Sequence, residues 1–69
     1  MDPVWTQAET AQRLSVHERS LERWRAEGTG PEYVRLGARR VGYRESAILA
    51  WLNARTFQHR AAELAQAAA

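Results

Sequence analysis

Ser15-Val16-His17-Glu18-Arg19-Ser20-Leu21-Glu22-Arg23-Trp24-Arg25-Ala26-Glu27-Gly28 is the stretch from which the fold can be worked out. It runs as a polar turn, about three turns of helix and a glycine stop. Leu21 and Trp24, three apart, share one helical face, and Arg19 and Arg23, four apart, share another. The spacing predicts a helix over 18–27, with His17 in the cap position and Gly28 supplying a left-handed C-terminal residue. Val16 before the cap and Leu21 after it are spaced for a hydrophobic staple. Such a helix docks its apolar side on its own domain and turns its basic side toward something anionic.

Upstream, Thr6 and Glu9 have the spacing of a capping box, and Ala8, Ala11 and Leu14 then line one side of a first helix over 7–14. The small alanines allow another helix to approach closely. Residues 1–4 read as a loose lead-in, and Trp5 as a cover folded over the core. Downstream, Thr29-Gly30-Pro31 is a loop. Tyr33–Leu36 and Arg40–Tyr43 alternate as strands around a Gly37-Ala38-Arg39 turn, with Arg39 and Arg40 at or beside its tip. Alternation is expected to set Val34 and Leu36 on the face that meets Val41 and Tyr43. A two-stranded hairpin is marginal in water, so it must lean on the helices.

A third helix is expected from Glu45, whose charge favours a helix N-terminus, with Ile48, Trp51, Leu52 and Arg55 at helical spacing. Phe57 lies nine residues past Ile48, half a turn out of phase, so Phe57, Ala61 and Leu64 make a second stripe. Residues 56–69 are then a separate short helix or an extension, with the last five residues frayed. The expected fold class is α+β, mostly helical: a winged helix-turn-helix over residues 5–55, preceded by a loose N-terminus at 1–4 and followed by a helical extension or frayed tail at 56–69.

Sixty-nine residues make one domain, which buries only about 60% of its unfolded surface. A few large residues must therefore carry the core: Trp5, Leu14, Leu21, Trp24, Val34, Leu36, Val41, Tyr43, Ile48, Trp51 and Leu52. Net charge is only +2, but the eight arginines and four glutamates from Arg13 to Arg44 concentrate +4 in the middle. All ten basic residues are arginine, a side chain suited to bidentate contacts with phosphate and guanine, and also one that a GC-rich genome favours. There is no cysteine, no apolar run near the roughly 18 residues of a membrane span and no signal peptide. The absence of cysteine fits a reducing cytosol, so a cytoplasmic protein is expected. His17 and His59 have no partners at ligand spacing, and no nucleophile, base and orienter occur as a set. Neither an enzyme, a metal site nor a cofactor is expected.

The sequence also resembles the small AlpA and excisionase-type proteins, whose DNA-binding domain is related to MerR regulators. Thr6-Gln7-Ala8-Glu9-Thr10-Ala11 is similar to their LTxxExA start, and Leu21-Glu22-Arg23-Trp24-Arg25-Ala26-Glu27-Gly28 to their LxRWxxxG. Residues Tyr33 to Arg44 are similar to their xVRLGxRxVRY wing, and Ala50-Trp51-Leu52 to their AWL. The four pieces keep the family's order and spacing over about residues 5–55. Two positions depart from the pattern: His17 replaces a Ser or Thr cap, and Gly42 replaces a wing arginine. The resemblance implies an excisionase (a recombination directionality factor) or a small transcription regulator of a prophage or integrative element. A phage DNA-packaging adaptor, as in the small terminase subunits that also resemble this family, is the alternative that keeps the fold.

The expected ligand is double-stranded DNA. Arg19, Ser20 and Arg23, with His17 at the helix start, are candidates for the major groove, and Arg39 and Arg40 for the backbone or minor groove. Arg35 and Arg44 are candidates for further backbone contacts. The competing reading pairs Arg19 with Glu22 and Arg23 with Glu27, contacts of only about 0.2–0.5 kcal/mol that would yield to phosphate. A protein-interaction module built on the Phe57/Ala61/Leu64 stripe is the alternative of a different class. The same stripe is a candidate for self-association on DNA or for an integrase-type partner. No membrane or small-molecule partner is expected.

Overall fold

The computed structural model describes residues 1–68. In chain order it has β1 (Val4–Thr6), α1 (Gln7–Leu14), α2 (Glu18–Glu27), β2 (Val34–Arg35), β3 (Val41–Arg44), α3 (Glu45–Ala54) and α4 (Arg60–Ala68). The fold is α+β and mostly helical: a helix-turn-helix carrying an antiparallel sheet as its wing.

α1 begins where the capping box predicts. The Glu9 N–H donates to Thr6 Oγ1 at 3.0 Å, and the Thr6 N–H donates to Glu9 Oε1 at 3.3 Å. Thr10 is fully buried because its hydroxyl donates back to the Thr6 carbonyl at 2.8 Å. The helix closes on Ser15, whose φ of 58° lies in the left-handed region, and the Val16 N–H then donates to the Ala11 carbonyl at 3.0 Å. α2 spans the residues its periodicity predicts and ends on Gly28 at φ 80°. The core is formed by Ala11, Leu21, Tyr43 and Ile48, with Trp5, Leu14, Val16, Trp24 and Val41 packed against it. Trp51 is half-buried and stacks on Trp24 at a centroid distance of 5.4 Å.

The N-terminus departs from expectation. Residues 1–4 are not a loose lead-in: Val4–Thr6 is a strand on β3, pairing Trp5 with Tyr43 and Thr6 with Gly42, so the sheet has three strands in the order β1-β3-β2. Asp2 holds the start of α3, where the Ser46 N–H and Oγ donate to its two carboxylate oxygens at 2.9 and 2.7 Å. The third strand also removes the marginality of a free hairpin.

The wing's register is also shifted from expectation. Val34 opposes Gly42 and Arg35 opposes Val41. Three residues separate Leu36 from Arg40, whose carbonyl accepts the Leu36 N–H at 2.8 Å, and this spacing sets the register. Tyr43 and Val41 therefore face the helices with Trp5, while Val34 and Leu36 lie on the outer face with Val4 and Gly42. Leu36 is 50% exposed as a result, and Leu52, also expected in the core, is 39% exposed.

α4 is a separate helix and contributes no residue to the core among those described. Its first turn is capped by His59, whose Nδ1 accepts the Ala62 N–H at 3.2 Å. The tail expected to fray is helical to Ala68, and Ala69 lies outside the described residues. Of the second stripe, Phe57 is half-buried, and Ala61 and Leu64 are exposed.

Candidate nucleic-acid interface

α2 keeps Leu21 and Trp24 inward and leaves Arg19 and Arg23 exposed. His17, Glu18, Arg19, Ser20 and Arg23 line one concavity at its N-terminal half. The His17 side chain makes no cap bond, although its backbone is extended as a cap requires. Among the described residues, the Glu18 and Arg19 N–H groups meet no acceptor, whereas the Ser20 N–H donates to the His17 carbonyl at 2.9 Å. Free N–H groups at the positive end of the helix dipole, with two guanidiniums beside them, make a surface suited to phosphate.

The intrahelical ion pairs of the competing reading hardly form. Arg23 Nε stands 4.0 Å from Glu27 Oε1, with both side chains more than half exposed, so that pair contributes little. The Arg19–Glu22 pair is absent. Glu22 Oε1 instead accepts from Gln7 Nε2 at 3.2 Å, and the same nitrogen donates to Glu18 Oε1 at 3.1 Å. Among the described residues, Arg19 has no ion pair at all.

The wing tip is held by its own backbone. Arg40 donates its N–H to the Gly37 carbonyl at 3.4 Å and accepts from the Leu36 and Gly37 N–H groups. Its side chain and that of Arg39 are exposed, and neither has a carboxylate partner among the described residues. Thr6, Gln7, Glu18, Arg39, Arg40 and Val41 are among the residues lining a cleft between the wing and the start of the two helices. Glu18 lines both this cleft and the α2 concavity, so the two adjoin at that residue.

Arg35 and Arg44 lie apart from that surface, lining neither concavity. The Arg35 guanidinium rests 5.8 Å from the Tyr33 ring, and Arg25 lies 5.6 Å from the same ring. Arg44 opposes Val4 on the outer face of the sheet, at the cap position of α3. Arg25 has a role that sequence reading missed: its Nη1 donates to the Tyr43 hydroxyl at 2.8 Å and ties α2 to the central strand. The signal was there, because Arg25 lies four residues past Leu21, on the helix's inner face.

Among the described residues no group of three or more His, Cys, Asp or Glu side chains is placed to hold a metal ion. Among the described residues no helix is long and apolar enough to cross a membrane. No curated protein and no solved structure matches the chain. Residues 6–56, well over half of the sequence, match the helix-turn-helix domain, a family of DNA-binding domains that is typically non-enzymatic, and the chain belongs to that family.

Proposed function

We propose that the protein is a sequence-specific binder of double-stranded DNA that places α2 in the major groove and its wing on the neighbouring backbone or minor groove. Arg19, Ser20 and Arg23 would meet base edges and phosphates there, with His17 and the free N–H groups of the first turn beside a phosphate. Arg39 and Arg40 would hold the flanking strand, and Arg35 and Arg44 would add backbone contacts at the margin. The observation that supports this reading is that Glu18 is common to the α2 concavity, which Arg19 and Arg23 line, and the wing cleft, which Arg39 and Arg40 line. The resemblance to excisionase-type and AlpA-like proteins, with their MerR relatives, supports a role in excision or in transcription control of a prophage or integrative element, within the bacterial cytoplasm.

A single module of this size typically buries about 600–1,000 Å² on DNA and binds weakly. Self-association along the site, or an integrase-type partner, would supply the remaining affinity, and the exposed Leu64 of α4 is a surface for it. A titration of duplex DNA at several salt concentrations tests the reading. Arg40→Ala should lower the slope of log K against log salt by about 1. An unchanged slope and affinity removes the wing from the interface, and a saturating stoichiometry of one chain per duplex removes self-association.

A further inference from the structure

Arg19, Glu22, Arg23 and Ala26 lie together on the exposed side of α2, each three or four residues from two of the others; Arg19 and Arg23 line the α2 concavity, and Glu22 flanks them on the side toward α1. A carboxylate between two arginines on a helix surface normally pairs with one of them. Glu22 does not: among the described residues it has no ion pair, and its Oε1 is held by Gln7 Nε2 at 3.2 Å. Gln7 sits on the first turn of α1 and bonds Glu18 as well, so the carboxylate is tethered from a second helix. The tether leaves Glu22 Oε2 and the remaining lone pair of Oε1 available as acceptors, while Arg19 and Arg23 stay available as donors.

We infer that Glu22 is a specificity-determining residue that accepts a hydrogen bond from the exocyclic amine of a cytosine in the major groove. This rests on the proposed docking of α2. A carboxylate brought against a polyanion is repelled unless it meets a donor, and cytosine N4 and adenine N6 are the base-edge donors of that groove. Adenine sets the N7 acceptor beside its amine, which repels the second carboxylate oxygen. Cytosine has no acceptor at that place in the groove, so the carboxylate selects it. The adjacent arginines take guanine O6 and N7 or phosphate, and the exposed methyl of Ala26 suits a thymine methyl. Gln7 is a positioning residue that holds the carboxylate for this contact.

Selection of bound duplexes from a random pool, run in parallel on the parent protein, Glu22→Gln and Glu22→Ala, tests the assignment. The parent is expected to enrich a motif with one C·G position favoured by about fivefold, the low end of what a good base contact contributes. Glu22→Gln, which keeps the Gln7 bond and suits adenine N6 and N7, should move that position toward A·T and leave the others unchanged. Glu22→Ala should flatten it. An identical motif from all three chains overturns the role of Glu22 and leaves DNA recognition standing. Absence of any motif from the parent, with all three chains folded by circular dichroism, overturns both.

Discussion

His17 occupies the N-cap of α2 with extended backbone (φ −80°, ψ 149°) and no side-chain cap bond. The side chain therefore leaves the helix start uncapped. An imidazole beside the free Glu18 and Arg19 N–H groups can donate to a phosphate, whereas a Ser side chain would accept from the helix itself. His17→Ser is expected to stabilise the fold by about 1 kcal/mol, a rise in melting temperature of roughly 4–8 °C for a domain of this size. Thermal melts of the two chains check it, and a lower melting temperature for His17→Ser would show that the imidazole supports the fold by another route. Arg25 and Arg23 show why single residues need the structure. The two are alike in sequence, yet one bonds Tyr43 beneath the helix and the other faces solvent.

At the scale of elements, the tightest constraint falls on Gly42 in β3. A Cβ there would stand 2.6 Å from Val4 Cγ1 and 3.0 Å from Leu36 Cδ1. That space is taken by the Val4 side chain of β1 and by the Leu36 side chain that follows β2. Gly42→Ala should cost about 1–3 kcal/mol through overpacking. Adding Val4→Ala should recover most of that loss, because the two side chains would compete for one space. Urea unfolding of both single variants and the double variant gives the coupling; strictly additive losses would place the strain elsewhere.

The helices were legible in the sequence because their signals are local: Thr6 and Glu9 are three residues apart, and Leu21, Trp24 and Gly28 mark one face and its stop. β1 was not legible, because three residues carry no periodicity and their partner lies some forty residues on. The faces of the wing were misjudged because a three-residue turn, not the apolar pattern, decides which side chains lie opposite. Among the candidate site residues, alternation and charge marked the exposed arginines but could not separate Arg39 and Arg40, which line the cleft, from Arg44, which does not.

Taken whole, the molecule is longer than its size requires. Its radius of gyration is 13.5 Å and its extents are 41 × 28 × 20 Å, whereas a compact chain of this length has a radius of about 11 Å. α4 accounts for the excess, since it adds nothing to the core among the described residues. The body proper is closed at the other end of the chain by Asp2, which joins the N-terminus to α3 across 44 residues. Arg44 caps α3 without a side-chain bond, so the Asp2 carboxylate does that work from a distance. The Ser46 hydroxyl, and then the Ser46 N–H, hold the Asp2 carboxyl below its ordinary range, and Arg44 adds to the effect. A carboxyl with a depressed folded-state pKa stabilises the fold above its unfolded value, near pH 4, and loses that contribution as pH falls through the lower folded value. The parent should therefore melt above Asp2→Asn at neutral pH, and the gap should close as pH drops below about 4. Melting temperatures of both chains followed from neutral to strongly acid pH read this directly. A gap of constant size at every pH would mean that the Asp2 charge is not what fastens the first strand to the third helix.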